Sequence, residues 1–346
     1  MRKPTPNGPT TARRLIYAAV FAGLIGCVTA QDAPGTAGSG AEAGRASTRT
    51  KPTTSSQEKI LFGQCPPGTR SEFAAITDQP LGLAGAWFIL GKQRIADFVR
   101  DPAHGLALAR ELDAIPVVWI SMRDGWPPDD KFVDQDVIDL ARCLAEFRNS
   151  KGEPQMSIVR LFLEPWNWSW HGPRDAATYK QWWKRAAGLF RANGCGPDRV
   201  ILSADFFPSG VAPEDVRNWI PDEAQLIGLD LYQLKALTPG TAANKLVLAV
   251  VAEAEARKLP IVVLESGIAD GSAEADGSAF VAKLFEFVQQ HAVAWMFGSY
   301  EWSRVKELAD NGWKNGVLSS NPALLADFKQ RLARMTLRPA PFQRGR

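Results

Sequence analysis

The sequence predicts a single (β/α)8 barrel. Three observations predict it. Short apolar runs recur along the chain at 60–63, 86–90, 116–121, 158–164, 200–205, 226–232, 260–265 and 293–300, which makes eight candidate strands. Most of them are separated by helical periodicity, as in Val137-Leu140-Ala141-Leu144 and Trp183-Ala187-Phe190. The stretch that holds them, 59–336, is roughly 280 residues long, the usual size of one such barrel. Alternating strand and helix imply a parallel sheet, and eight units imply that the sheet closes. A doubly wound open sheet is the competitor, but no glycine-rich phosphate loop follows the first run.

The flanks are of another kind. Residues 1–30 read as an export signal, with Arg2, Lys3, Arg13 and Arg14 ahead of an apolar stretch at 15–26 that is too short to span a bilayer comfortably. Two processing patterns overlap there. Leu24-Ile25-Gly26-Cys27 resembles a bacterial lipobox, in which Cys27 becomes the acylated first residue. Val28-Thr29-Ala30 resembles an ordinary cleavage site, with the mature chain starting at Gln31. Either way the expected location is the periplasm or outer envelope, lipid-anchored through Cys27 or otherwise secreted. Residues 31–58, rich in Gly, Ala, Ser, Thr and Pro and without apolar periodicity, read as a disordered linker, and 337–346 as a similar tail.

Composition excludes several functions. Hydrophobic residues make up 45% and charged residues 22%, ordinary for a soluble globular protein. The formal net charge is +3, and the export signal carries four basic residues and no acids, so the remainder stands at 3 − 4 = −1. Nucleic-acid binding therefore has no electrostatic footprint. Of the four cysteines only Cys65, Cys143 and Cys195 belong to the folded part, allowing at most one disulfide. Their spacings match no metal motif, and His104, His171 and His291 lie far apart, so neither a metal nor an organic cofactor is expected. The chain has 12 tryptophans, a residue type suited to ligand surfaces that need rigid flat area, although a large barrel also buries aromatics in its packing.

In a (β/α)8 barrel the chemistry lies at the C-terminal ends of the strands. Two apolar runs end there in a glutamate: Ile158-Val159-Arg160-Leu161-Phe162-Leu163-Glu164 in the fourth, Pro260-Ile261-Val262-Val263-Leu264-Glu265 in the seventh. A carboxylate directly after an apolar run is costly unless it is paired or sits at a functional rim. Two of them, three strands apart, face each other across one mouth, an arrangement that suits glycosidic cleavage. The alternative is that each only caps the loop that follows. Strand alternation puts Arg160 on the face of Glu164, and Asp230 on the face of Tyr232. An inward arginine beneath two carboxylates would hold one of them ionised, or would form a structural pair with Asp230 in the barrel floor.

These residues resemble a family. Arg160-Leu161-Phe162-Leu163-Glu164-Pro165-Trp166-Asn167-Trp168-Ser169-Trp170 resembles the acid/base strand of glycoside hydrolase family 26, in clan A. Tyr179 and Trp183, ahead of Phe190-Arg191-Ala192-Asn193-Gly194, resemble the helix that follows, and Ile227-Gly228-Leu229-Asp230-Leu231-Tyr232 its sixth strand. Pro260 to Gly267 resembles the nucleophile strand, and the likeness spans Ile60 to about Met335. The resemblance implies that Glu164 is the general acid/base, Glu265 the nucleophile and Tyr232 its hydrogen-bond partner. Leu163 stands where the family usually has histidine and its clan relatives asparagine, and Asn167 is the candidate to supply the missing polar contact.

Aromatic residues complete the expected site. Trp166, Trp168 and Trp170 follow Glu164, Trp119 ends the third run, Trp126 lies in the next loop and Trp302 follows the eighth. Such rings stack on the C–H face of a sugar, and Trp170 and Trp302 are the expected platforms, with Asn167, Trp168 and Trp119 as further substrate contacts. The expected activity is retaining endo-hydrolysis of a β-linked polysaccharide by a monomer. The resemblance implies β-mannan or glucomannan as substrate, with a bacterial exopolysaccharide close behind. Two alternatives stay open: an envelope-anchored polysaccharide-binding relative without turnover, and a clan A β-xylanase or β-glucanase.

Overall fold

A computed structural model describes residues 60–64, 77, 81–102, 105–122, 130–162, 164–165, 175–269, 274–298 and 316–335. Its strands are β1 (Leu61–Gln64), β2 (Leu83–Leu90), β3 (Ile115–Met122), β4 (Ser157–Leu161), β5 (Val200–Phe206), β6 (Leu226–Leu231), β7 (Ile261–Ser266) and β8 (Ala292–Phe297). Each pairs in parallel with the next, and β1 pairs with β8, which closes the barrel as the alternating pattern predicts. Among the described residues the helices are α1 (Ile95–Arg100), α2 (Leu106–Glu111), α3 (Asp130–Ala145), α4 (Ala176–Ala192), α5 (Val216–Trp219), α6 (Ala242–Ala256), α7 (Glu274–His291) and α8 (Pro322–Arg334). None of them is long and apolar enough to cross a membrane.

Side chains alternate along each strand, so the sheet separates two apolar layers. The inner one fills the barrel with Leu61, Leu83, Val117, Ile158, Leu226 and Val262 among others. The outer one lies between strands and helices, where Trp295 of β8 meets Phe62 at 5.0 Å, Phe285 of α7 at 4.8 Å and Phe328 of α8 at 5.8 Å. Strands buried on both sides read as unbroken apolar runs, which is why the runs alone located them.

Helix starts follow ordinary capping chemistry. The Asp175 carboxylate accepts the Thr178 N–H at 2.8 Å ahead of α4, and Asn321 accepts the Leu324 N–H at 3.1 Å ahead of α8, whose first residue is Pro322. The helix between β5 and β6 departs from the barrel pattern. It is a single turn, because Pro221 forces the preceding Ile220 into extended backbone (φ −77°, ψ 116°) and ends α5 at Trp219.

Two strands end three residues short of their sequence runs. The fourth run extends to Glu164, but β4 stops at Leu161, since Phe162 (φ 56°) and Glu164 (φ 47°) both enter the left-handed region. The eighth run extends to 300, whereas β8 ends at Phe297 and Gly298 makes one more bridge, to Gly267.

Candidate active site

Arg160 organises the mouth of the barrel. It lies two residues beyond Ile158 on β4 and so points inward, and no part of its side chain reaches solvent. A buried guanidinium is tolerated only with compensating partners. Arg160 has three, each from a different strand. Its Nε lies 2.9 Å from Asp205 Oδ2 on β5, its Nη2 donates to Asp230 Oδ2 on β6 at 2.5 Å, and its Nη1 donates to Glu265 Oε2 on β7 at 2.9 Å. The planar fork of arginine serves three directions at once, which a lysine ammonium on a flexible stem would not. Burial acts to lower its pKa, and Asp230, Asp205 and Glu265 outweigh that and hold it well above its ordinary value. The two sequence readings of Arg160 are therefore not exclusive, because it pairs with Asp230 and with Glu265 together.

Trp119 lies beneath this guanidinium. It is in register with Arg160 across β3 and β4, and the guanidinium carbon stands 5.6 Å from the ring centroid, within cation–π range. The sequence pattern puts Trp119 at the end of its strand as a further substrate contact. It lies within β3 instead, three residues before Met122, with 0% of its surface exposed. Trp87 on β2, its in-register neighbour with ring centroids 6.2 Å apart, is half-buried, and it went unnoticed in the sequence because it sits inside an apolar run.

Glu265 reaches the interior through an irregularity. Along β7 Val263 belongs to the outer layer and Leu264 to the inner one, so strict alternation would turn Glu265 outward. The register with β6 passes from Leu229↔Val263 to Asp230↔Glu265, skipping Leu264. That bulge re-aims the carboxylate into the mouth. The next residue, Ser266, is anchored outward: it accepts Trp295 Nε1–H at 2.7 Å and donates to the Met296 carbonyl at 2.7 Å.

Tyr232 donates its hydroxyl to Glu265 Oε1 at 2.5 Å, so both carboxylate oxygens are held. The tyrosine ring fits because Gly267 has no side chain: a Cβ there would lie 3.0 Å from Tyr232 Cε1 and 2.8 Å from the Gly298 carbonyl oxygen. Burial pushes the Glu265 carboxyl up, to about 8, with the charge of Glu164 adding to the rise and Arg160 and Tyr232 opposing it. Arg160 thus favours the ionised form without prevailing on its own.

Glu164 is held by a strained turn rather than by strand alternation. Its N–H donates to the Asp205 main-chain carbonyl at 3.2 Å, and its side chain is buried, at 7% exposure. The left-handed backbone at Phe162 and Glu164 costs energy in residues with a Cβ and recurs at functional turns. Helix α4 supports the turn from outside, where Trp183 Nε1–H donates to the Leu161 carbonyl at 3.0 Å.

Asp205 and Gly228 complete the cluster, and the sequence pattern had not singled them out. Asp205 ends an apolar run just as the two glutamates do, which was the available signal. Gly228 is its in-register neighbour on β6, and a Cβ at that position would fall 1.5 Å from Asp205 Oδ1. Burial pushes both Asp205 and Asp230 up, against the pull of Arg160. One guanidinium faces three carboxyl groups, so the cluster retains protons.

Asn167, Trp168, Trp170 and Trp302 lie outside the described residues, as do Cys27, Leu163, Trp126 and Trp166. Cys143 and Cys195 are free thiols, and Cys65 is also outside the described residues. Among the described residues no group of three or more His, Cys, Asp or Glu side chains is arranged to hold a metal ion.

No protein-family model matches the chain, and none of the curated proteins does. Solved structures do. GH26C from Muricauda sp. superposes with a TM-score of 0.59 at 15% identity, covering 82% of this chain and 87% of its own. A modular endo-β-1,4-mannanase of glycoside hydrolase family 26 from Cellulomonas fimi gives 0.56 at 13% identity, over 83% and 76%. A GH5 xyloglucan-specific endo-β-1,4-glucanase from a metagenomic library gives 0.52 at 14%, over 77% and 88%. At these identities the likeness is one of fold: the chain has the same (β/α)8 barrel architecture as these glycoside hydrolase structures.

Proposed function

We propose that this protein is a retaining endo-β-glycosidase that hydrolyses a β-linked polysaccharide by double displacement. The observation that carries the reading is the environment of Glu265, with Arg160 on one oxygen, Tyr232 on the other, and Glu164 near enough for its charge to act. In this reading Glu265 attacks the anomeric carbon while Glu164 gives a proton to the departing glycosidic oxygen. The glycosyl–Glu265 ester is then cleaved by water, whose proton Glu164 takes up. Such chemistry needs one proton between the two glutamates, on Glu164. Burial and mutual repulsion keep a proton on the pair near neutral pH, and the Arg160 and Tyr232 hydrogen bonds favour the arrangement in which Glu265 carries the charge.

The proposed substrate is β-mannan or glucomannan, or a bacterial exopolysaccharide. The shared fold with the Cellulomonas fimi mannanase supports the first. Trp87, aromatic, inward and partly exposed, supports sugar stacking at the mouth, with Asn167, Trp168, Trp170 and Trp302 as further contacts. The reading includes a monomer exported to the periplasm or outer envelope, lipid-anchored through Cys27 or otherwise secreted.

A panel of polysaccharides, scored for both new reducing ends and binding, tests the proposal. Reducing ends from mannan, glucomannan or an exopolysaccharide support it. Release from xylan or β-glucan alone moves the specificity elsewhere in the clan, and binding without release identifies a polysaccharide-binding protein instead.

A further inference from the structure

The Arg160 cluster holds more carboxyl groups than its one cation needs. Asp230 alone, at 2.5 Å, would balance the guanidinium, and Glu265 is the proposed nucleophile. Asp205 is then a third buried carboxyl on one cation, and a buried carboxyl without its own cation costs stability. The fold nevertheless accommodates it at several points. Ser203 Oγ donates to its Oδ1 at 3.0 Å, and Gly228 leaves the space that any side chain would take from it. Its carbonyl oxygen receives the Glu164 N–H at 3.2 Å.

We propose that Asp205 is a positioning residue for both glutamates: its carboxylate sets the Arg160 guanidinium against Glu265, and its main-chain carbonyl fixes the turn that carries Glu164. The inference rests on the glycosidase reading for the roles of those glutamates. Asp205 competes with Glu265 for Arg160, and so tunes how much of the guanidinium charge the nucleophile receives. Among the described residues, the charged and titratable groups that act on Asp205 are Arg160 on β4, Asp230 on β6 and Tyr179 on α4. Among the same residues, those that act on Glu265 are Arg160, Glu164, Tyr232 and Asp230.

The test is Asp205→Asn, which keeps the shape and removes the charge. With one competitor gone, Arg160 is shared between two carboxyl groups, and Glu265 ionises at lower pH. The acidic limb of kcat/KM is expected to move down by about one pH unit, the lower end of what a neighbouring charge does. The Glu265 carboxyl, followed by NMR in protein carrying carboxyl-13C glutamate and assigned with Glu265→Gln, should titrate lower by the same amount. A purely structural Asp205 predicts a lowered thermal midpoint and unmoved titrations. Unmoved or upward-shifted titrations of Glu265 overturn the proposal, whatever the thermal midpoint. Should Asp205→Asn fail to fold, Ser203→Ala, which weakens support for the same charge, must move the Glu265 titration in the same direction or the proposal falls. A downward NMR shift in a protein that cleaves no polysaccharide would leave the Asp205–Arg160–Glu265 coupling intact and remove the glycosidase reading.

Discussion

Tyr232 and Glu265 meet across the β6–β7 edge of the barrel mouth, phenolic hydroxyl to Oε1, at 2.5 Å. The bond reaches the proposed nucleophile from the side opposite Arg160, so the carboxylate has no freedom to rotate. Hydrogen bonds to a charged group are worth about 1.5–3 kcal/mol. Tyr232→Phe is therefore expected to lower kcat/KM by about ten- to a hundredfold while leaving the fold intact. Since the Tyr232 hydroxyl favours the ionised carboxylate, its loss should move the acidic limb of the pH profile upward. A steady-state profile of the variant checks both effects.

Arg160→Met should be costly in two measurable ways. Removing the cation leaves Asp205, Asp230 and Glu265 buried without their shared partner, which typically costs about 3–5 kcal/mol. Denaturant unfolding at several pH values should show the loss deepest at high pH and smallest in acid, where all three carboxyls are protonated in both states. In whatever folded protein remains, the acidic limb should rise by about 1–3 units. An unchanged limb would leave Arg160 with a structural role only.

The wild-type protein should also become less stable as the pH rises. Glu265 sits at about 8 in the folded chain against an ordinary 4.5, because of burial first and Glu164 next. Between those values the folded Glu164–Glu265 pair keeps one proton that the unfolded chain has released. This group's contribution is full below about 4.5 and is lost as the pH passes about 8. Thermal midpoints measured across that window should decline, and Glu265→Gln, which cannot titrate, should flatten part of the slope.

The positions of Arg160, Tyr232 and both glutamates were legible because apolar runs mark barrel strands and the residues at their ends mark the mouth. What brings the glutamates together was not. Alternation from Val262 points Glu265 the wrong way, and only the register skip at Leu264, a property of how β7 meets β6, turns it inward. Glu164 likewise depends on left-handed backbone at Phe162 and at Glu164 itself, which neither residue type announces. Gly228 looks like an unremarked strand glycine until Asp205 lies beside it. Asp205 itself is visible in the sequence as an acid closing an apolar run, and only the folded barrel shows that it shares Arg160 with Glu265.

If Leu24-Ile25-Gly26-Cys27 acts as a lipobox, Cys27 carries a lipid anchor. Expressed with its own N-terminus in a Gram-negative host, the protein should fractionate with membranes, and Cys27→Ser should release it. Soluble protein beginning at Gln31 would show instead that the ordinary cleavage site is used.

The stereochemistry of the product tests both glutamates together. If Glu164 and Glu265 act as acid/base and nucleophile, their carboxyl groups should stand about 5–5.5 Å apart in the working enzyme, the spacing of retaining glycosidases. That leaves no room for a water between base and sugar, so Glu265 must itself bond to the anomeric carbon. Glu265→Ala should then abolish turnover. Glu164→Ala should still cleave aryl glycosides whose leaving group needs no proton, up to the ester, and should lose far more activity on polysaccharide. Two inversions at one carbon restore its configuration, so NMR of fresh product from a β-linked substrate should show the β-anomer first, with the α-anomer appearing only by mutarotation. An α-anomer formed first would mean direct attack by water, and Glu265 would then be a base, not the nucleophile. The Arg160 and Tyr232 hydrogen bonds would in that case serve to keep a general base ionised at its working pH, and the acidic limb would still answer to both.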